Sequence, residues 1–163
     1  MAFITAFIMT FFDQLTKNLA VLYLKDSDPY VIIDNVFELY YLENHGAAFS
    51  ILQGKQTFFT VITVIFLIVC ALVYIKIAAA KTTHSFAALQ VVILMLFCGA
   101  TGNFIDRITN GYVVDFFYFK LINFPVFNVA DIYITVAAVL LCILILFVYK
   151  DEDLKEVFGK KNE

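Results

Sequence analysis

Two aspartates, Asp115 and Asp131, are the residues of this chain that are most clearly suited to take part in a chemical reaction. They lie in the short motifs Val113-Val114-Asp115-Phe116 and Phe127-Asn128-Val129-Ala130-Asp131, beside long apolar runs. An ionised carboxylate is costly to place in or beside hydrocarbon unless it is paired or hydrated. Two acids close enough to share a proton would supply a general base and a general acid in one site.

The composition indicates that this chemistry takes place in a membrane. Of the 163 residues, 63% are hydrophobic and 15% charged, and the mean hydropathy is +0.90. Soluble domains contain about 45–50% apolar and about 25% charged residues. The length predicts one domain, residues 1–163. The net charge of -3 and the lack of a basic stripe argue against a nucleic-acid partner.

Four segments are long and apolar enough to be transmembrane helices, taking roughly 20 residues as the requirement. The first contains Asp13 and Lys17, and lacks the basic start and small-residue cleavage site of a signal peptide, so we expect a retained helix. The expected fold is an all-α membrane protein with four transmembrane helices and a small extracytoplasmic β-rich segment on the membrane surface. The predicted helices span about 2–24, 58–77, 86–105 and 132–149.

The basic residues beside the spans predict the orientation. Six lie on one side, and the other side has four, of which Arg107 is expected to belong to a site. Both termini are therefore predicted to be cytoplasmic, with residues 150–163 as a solvated cytoplasmic tail. The first group is Lys76, Lys81, Lys150, Lys155, Lys160 and Lys161, and the second is Lys25, Lys55, Arg107 and Lys120.

This topology places two long connections, residues 25–57 and 107–130, on the outer face. The first contains Val36–Glu43, whose mixture of β-branched, aromatic and acidic residues is typical of a partly buried strand pair. Asp115 lies in the second connection and Asp131 at the start of the fourth helix. We therefore expect both aspartates to meet near the outer leaflet.

Other polar residues lie near these elements. Asp13 and Lys17 are one helical turn apart, which favours a structural ion pair over a direct catalytic role. The motif Asn44-His45-Gly46-Ala47-Ala48-Phe49 offers an amide and small residues, and taken alone it is also compatible with a turn.

Asn103 and Arg107 are likewise one turn apart. Arg107 either extends to the lipid headgroups or joins a site with Asn103, whose amide needs a partner within the span. Asn128 precedes Asp131 by three residues and suits a helix N-cap, a structural role that would by itself explain Asp131. It leaves Asp115, in an apolar aromatic stretch, unexplained.

No metal site is expected from the sequence. Cys70, Cys98 and Cys142 fall in predicted spans, where cysteine behaves as a small apolar residue. His45 and His84 are too isolated to form a zinc site, and no disulfide framework is visible.

In order along the chain, five blocks resemble the motifs of bacterial lipoprotein signal peptidase, also called signal peptidase II. The resemblance covers nearly the whole chain. The blocks are Asp13-Gln14-Leu15-Thr16-Lys17, Asn44-His45-Gly46-Ala47-Ala48-Phe49, Gly102-Asn103-Phe104-Ile105-Asp106-Arg107, Val113-Val114-Asp115-Phe116 and Phe127-Asn128-Val129-Ala130-Asp131.

The resemblance implies an aspartic endopeptidase with Asp115 and Asp131 as its catalytic dyad. It implies removal of the signal peptide from diacylglyceryl-modified prolipoproteins, immediately before the lipidated cysteine, in the bacterial cell membrane and without a metal or organic cofactor. Membrane lipid is an implied partner, and family inhibitors such as globomycin are expected to bind the dyad site. The implied substrate-binding or supporting residues are Asn44, Gly46, Asn103, Arg107 and Asn128, with Asp13 and Lys17 as a structural polar pair.

The chain departs from the family pattern at its start. The Lys or Arg that commonly opens helix one is missing, and few residues precede Asp13, from which we expect a truncated or misassigned start. The polar motifs are unaffected.

Two other classes of protein compete with this interpretation. A small transporter or proton-relay protein also uses intramembrane Asp, Lys, Arg and Asn. It predicts polar residues through the depth of several helices, whereas the second and fourth predicted helices are almost purely apolar inside. A four-helix assembly scaffold would leave Asp115 without a role. An intramembrane aspartic protease is therefore the favoured interpretation.

Overall fold

The computed structural model describes residues 2–46, 56–80 and 85–159, and this part of the chain is mostly helical. Ala47, Ala48 and Phe49 of the second motif block, and Lys55, Lys81, His84, Lys160 and Lys161, lie outside the described residues. The elements are α1 (Ala2–Leu24), β1 (Tyr30–Ile33), β2 (Phe37–Asn44), α2 (Gln56–Ala79), α3 (Ala87–Thr109), β3 (Val113–Tyr118), a 3-10 turn (Lys120–Ile122), α4 (Val129–Ile143), a π-helical segment (Leu144–Val148) and α5 (Asp151–Phe158).

Three helical stretches are long and apolar enough to cross a membrane. They are Thr57–Ala79, Ala87–Thr109 and Val129–Val148, the last of which includes the π-helical segment. These stretches match three of the four predicted spans. Among the described residues, α1 does not join them despite its 23 residues, because polar side chains from Asp13 to Asn18 interrupt its apolar sequence.

The central helix of the bundle is α3, which packs against α1, α2 and α4. Gly99 permits the close approach to α4, since a Cβ built there would lie 2.5 Å from the carbonyl oxygen of Ala130. Gly102 has the same function towards α1, because its Cβ would overlap the Asp13 carboxylate. Small residues at these positions bring the polar side chains of three helices into contact.

The β-rich segment is a three-stranded antiparallel sheet in the order β1-β2-β3. The segment Val36–Glu43, predicted as a strand pair, forms the single strand β2, and its partner β1 lies earlier in the connection. The third strand was not predicted, and it comes from the second connection. β3 pairs with β2 in a register that places Leu42 opposite Asp115, with an irregularity between Leu39 and Leu42. Asp115 is thus fixed on a strand rather than carried by a loop.

The chain after the π-helical segment, expected to be a solvated tail, is mostly exposed within residues 151–159 but is helical and has one buried residue. Asp151–Phe158 form α5, which packs against α2 and buries Val157 to 5% exposure. Tyr149 stacks on Phe86 with ring centroids 4.6 Å apart. The apolar residues among the charges of this segment therefore attach it to the bundle.

Candidate active site

Asp115 is held within β3 as a nearly inaccessible carboxylate, 1% exposed. Its neighbours Val114 and Phe116 are buried in an apolar cluster, which fixes the strand. The Asn44 side-chain amide donates to Asp115 Oδ2 at 2.9 Å, and the Asn128 amide donates to Oδ1 at 2.6 Å. Each carboxylate oxygen therefore has an amide donor.

Asp131 lies in the first turn of α4, where it forms a capping box with Asn128. Asn128 Oδ1 accepts from the Asp131 backbone nitrogen at 3.0 Å, and Asp131 Oδ2 accepts from the Asn128 nitrogen at 3.1 Å. The N-cap expected from the sequence is present. Asp131 Oδ1 also accepts from the Asn103 side-chain amide at 2.8 Å, so a hydrogen bond connects Asp131 to α3 as well.

Asn128 connects the two aspartates. Its side-chain amide contacts Asp115, its backbone nitrogen contacts Asp131, and its side chain also donates to Asn103 Oδ1 at 3.0 Å. Asn128 is fully buried. Asn128, between β3 and α4, thus sets the relative positions of both carboxylates. The structure brings Asn103, Asp115, Asn128 and Asp131, all singled out from the sequence motifs, into contact.

The electrostatic environment raises the pKa of the Asp115 carboxyl to about 7. Burial is the largest cause, since it disfavours the charged form, and the negative charge of Asp131 adds to it. Hydrogen bonds from Asn44 and Asn128 act in the opposite direction by stabilising the carboxylate. A carboxyl that titrates near neutral pH next to a second carboxyl is suited to acid–base chemistry.

Lys17 forms a buried ionic cluster beneath the aspartates. Its ammonium lies 2.9 Å from Asp13 Oδ2 and 3.2 Å from Asp106 Oδ2, and it donates to Asn103 Oδ1 at 2.8 Å. The ion pair expected between Asp13 and Lys17 is present. Lys17 also reaches Asn103, whose amide holds Asp131. Through Asn103, the lysine of this cluster is therefore linked to Asp131.

Asp106 is a supporting residue that the sequence interpretation did not single out. It is 3% exposed, and its Oδ2 accepts from the Val114 backbone nitrogen at 3.0 Å, directly before Asp115. Its Oδ1 accepts from the Gln14 amide at 2.9 Å. Its spacing of three residues from Asn103 places both on one helix face, and that spacing was the available signal.

Asp13 supports the other aspartate. Its Oδ1 accepts from the Ala130 backbone nitrogen at 2.9 Å, within the first turn of α4. A carboxylate at a helix N-terminus is favoured because the free N–H groups and the helix dipole are positive there. Asp13 and Asp106 thus fix the backbone beside Asp131 and Asp115 respectively.

Arg107 lies near the aspartates and contacts the end of the first outer connection. Its guanidinium donates to the Gly46 carbonyl at 3.5 Å and to the Asn103 carbonyl at 3.4 Å, and it lies 5.5 Å from the centroid of the Phe59 ring. The Gly46 nitrogen donates to Asn44 Oδ1 at 3.0 Å. Arg107 therefore holds the segment that carries Asn44, in addition to bringing a positive charge close to the carboxylates.

Both aspartates line a cavity of about 1510 Å³. Its wall also includes Asn44, Asn103 and Arg107, together with apolar residues of α4 such as Ile132. Within residues 2–46, 56–80 and 85–159, no group of three or more His, Cys, Asp or Glu side chains is arranged to hold a metal ion. The chemistry available from these side chains is proton transfer between carboxyl groups and hydrogen bonding from amides.

Comparison with known proteins places this architecture in a family. Residues 5–147 match the family model for signal peptidase (SPase) II. The chain is 41% identical over 155 residues to the lipoprotein signal peptidase of Staphylococcus haemolyticus, covering 94% of this chain and 93% of that protein. It is 45% identical over 148 residues to the lipoprotein signal peptidase of Caldanaerobacter subterraneus, covering 90% and 97%.

Solved structures agree with the sequence comparison. A bacterial membrane enzyme determined by the in meso method superposes with a TM-score of 0.78 at 35% identity, over 99% of this chain and 92% of that one. Another gives a TM-score of 0.77 at 37% identity, over 91% and 94%. With matched residues that include both aspartate motifs, this chain belongs to the signal peptidase II family of peptidases.

Proposed function

We propose that this protein is an intramembrane aspartic endopeptidase that removes the signal peptide from diacylglyceryl-modified prolipoproteins by cleaving before the lipidated cysteine. Asp115 and Asp131 are the proposed catalytic dyad. The observation that carries the proposal is the joint contact of Asn128 with both carboxylates, at 2.6 Å to Asp115 and 3.1 Å to Asp131, in the wall of one cavity. The names of the family relatives support the choice of substrate.

The proposed mechanism uses one proton shared by the dyad. Two adjacent carboxyl groups titrate in separated steps, so one member is ionised while the other is protonated near neutral pH. The ionised member takes a proton from the water that attacks the scissile carbonyl. The protonated member donates to the developing oxyanion, and a proton is then delivered to the leaving amine. No covalent intermediate forms.

The supporting residues have separate proposed roles. Asn44 and Asn128 orient Asp115, Asn103 orients Asp131, and Arg107 holds the Gly46 segment against the cavity. Donors already aimed at the carboxylates keep them in reactive positions without reorganisation during the reaction. Asp13 and Lys17 act through the backbone of α4 and through Asn103 rather than on the substrate.

The cavity suits a lipidated peptide. Ligand pockets for small molecules enclose about 300–1,000 Å³, so a cavity of about 1510 Å³ has room for several peptide residues and part of an acyl chain. The apolar α4 residues that line it would contact the lipid, and the aspartates would contact the peptide. We propose the same cavity as the binding site for globomycin.

We also propose that α1 crosses the membrane as a fourth span and that residues 1–163 form one integral membrane domain. The polar residues Asp13 and Lys17 are buried against α3, while Phe3, Phe7 and Leu22 are 85%, 65% and 69% exposed. Lipid would therefore meet an apolar surface along α1. Both termini would be cytoplasmic and the dyad near the outer leaflet, which reporter fusions at each terminus and in the β1–β2 turn would test.

The decisive experiment follows cleavage of a diacylglyceryl-modified prolipoprotein by gel shift in liposomes. It compares the wild type with Asp115→Asn and Asp131→Asn, each confirmed as folded. Asp34→Asn is the matched control, because this exposed aspartate lies in the turn between β1 and β2. We expect cleavage by the wild type and the control and none by either dyad variant, with mass spectrometry locating the new amino terminus at the lipidated cysteine.

Two results would contradict the proposal. Near wild-type cleavage by either dyad variant would remove that aspartate from the mechanism. A folded wild type that leaves the lipidated substrate intact would reject the peptidase function, and ion flux through the same liposomes would then test the transporter alternative.

A further inference from the structure

The cavity extends well beyond the two aspartates along one face of the sheet. On β2 it is lined by Leu42, Tyr40 and Glu38, in that order away from Asp115. β2 is irregular between Leu39 and Leu42, and the three side chains line the cavity across that irregularity. The end remote from the aspartates is completed by Tyr118 and Asn123. The cavity is therefore a groove with the proposed dyad at one end and, at the other, a few polar side chains among apolar residues such as Phe119, Ile122 and Phe124.

An ion pair lies at this remote end. The Lys120 ammonium is 3.1 Å from Glu38 Oε2, with the Glu38 side chain 7% exposed and that of Lys120 50% exposed. The turn that carries Lys120 is fixed, because the Tyr118 hydroxyl donates to Asn123 Oδ1 at 2.6 Å. A carboxylate in the groove wall and a half-exposed ammonium beside it offer a polar side chain both an acceptor and a donor.

The two ends of the groove suit different halves of the substrate. The signal peptide is apolar and its partners are the lipid and the apolar face of α4, whereas the chain after the cleavage site continues into water. Glu38 lies opposite Tyr118, which is three residues from Asp115 on β3. The same stretch of β2, from Glu38 to Leu42, spans four residue steps and contains the irregularity, so at about 3.3 Å per residue Glu38 lies roughly 10–13 Å from Asp115 along the sheet. An extended peptide over this strand places about its fourth residue after the cleaved bond at Glu38.

We propose that Glu38 and Lys120 form a subsite for the side chain of the mature lipoprotein segment at about the fourth position after the scissile bond. This inference rests on the proposed peptidase function. The pair is neutral overall, so the wild type accepts either charge. Removal of one partner leaves the other unbalanced, and the preference then follows the remaining charge.

The test uses three lipidated prolipoproteins that differ only in carrying Lys, Asp or Gln at the third to fifth positions after the cleavage site. The enzymes are the wild type, Glu38→Gln, Lys120→Gln and the double variant, and the readout is kcat/KM for each substrate. Exposed charge pairs change such ratios by up to roughly fivefold. We expect Glu38→Gln to favour the Asp substrate over the Lys substrate by about that factor, and Lys120→Gln to do the reverse.

The double variant separates recognition from structure. If the pair recognises charge, the double variant returns the ratio of Lys to Asp substrates to the wild-type value, and 0.5 M NaCl reduces the preferences of the single variants. Equal changes for all three substrates would mean that the pair only stabilises the turn, which would overturn the inference while leaving the peptidase function intact. Failure of the wild type to cleave any of the three would overturn both.

Discussion

The Asn128 side-chain amide donates to Asp115 Oδ1 at 2.6 Å, so the N-cap residue of α4 is also a hydrogen-bond donor to a carboxylate on β3. The same side chain accepts from the first turn of the helix through its oxygen. Helix capping and orientation of the proposed dyad are therefore carried out by the two atoms of one amide group. A substitution that keeps a capping oxygen but removes the NH2 donor to Asp115 therefore separates helix capping from orientation of the carboxylate.

Asn128→Ala and Asn128→Ser are the variants that make this separation. Serine is a good N-cap but cannot donate as the amide does, so we expect both variants to lose activity by roughly a hundredfold, the scale for a preorganised donor. Both variants lose the buried hydrogen bonds of the amide, and Asn128→Ala should be about 1 kcal/mol less stable than Asn128→Ser because it also loses the cap. The measurements are kcat on the lipidated substrate and thermal unfolding in detergent. Equal activity of Asn128→Ser and wild type would remove the donor role.

The pH dependence of cleavage should report the Asp115 carboxyl. Because its pKa is raised to about 7, the form of the dyad with one proton is lost as the pH rises above that value, and kcat should fall about tenfold per pH unit. The Asn44 hydrogen bond lowers this pKa, so Asn44→Ala should move the falling limb to higher pH. The matched control is Asn110→Ala, an exposed amide at the end of α3. A falling limb at unchanged pH in Asn44→Ala would contradict this assignment.

Lys17→Met should be strongly destabilising. It leaves the carboxylates of Asp13 and Asp106 buried without their cation, and loss of one partner of a buried ion pair costs about 3–5 kcal/mol. Lys25→Met is the matched control, since the ion pair of Lys25 with Glu43 is solvent-accessible and should leave stability unchanged. Chemical unfolding of both variants in the same detergent is the measurement. Similar unfolding midpoints for the two variants would show that the buried cluster contributes little.

Gly102→Ala should force α1 and α3 apart. The added methyl group would overlap the Asp13 carboxylate, with Asp13 Cγ at 2.9 Å, and overpacking of this kind costs about 1–3 kcal/mol. Activity should fall as well, since Asp13 holds the start of α4. Gly111→Asn is the comparison, because nothing lies within 4 Å of a Cβ there, so its cost comes from the φ of +82° alone, which asparagine tolerates better than most residues. Unfolding temperature and cleavage rate are measured together, and an unaffected Gly102→Ala would mean that the helices adjust freely.

The sequence predicts the helices well where apolar runs are long and uninterrupted. The fourth helix begins at Val129 rather than at 132, because the cap formed by Asn128 lies four residues before the predicted hydrophobic run. β3 was not predicted, since its residues Val113–Tyr118 are apolar or aromatic except for Asp115 and show no strand alternation, and its partner β2 is remote in sequence. Pairing between distant segments has no local signal.

The candidate site shows a similar division. The sequence singled out Asn44, Asn103, Asp115, Asn128 and Asp131, and the structure places them in one hydrogen-bonded group. Asp106 was overlooked as a site residue because its partner is a backbone nitrogen on β3, which no pattern of side chains reveals. The contact between Lys17 and Asn103 likewise depends on the packing of α1 against α3. The residues proposed to do chemistry could therefore be recognised by their type. The residues that support them could be recognised only from the packing in the structure.

The hydrogen bond from the Ala130 nitrogen to Asp13 joins residues 117 positions apart. During synthesis both Asp13 and Asp115 emerge before α4. Asn128 and Asp131, which complete the surroundings of Asp115, emerge after both. Assembly of the proposed dyad must therefore wait for α4, which carries Asp131. A ribosome-bound chain that ends before Asn128 also lacks Asp131, so under the proposed mechanism it has only one of the two carboxylates needed for cleavage.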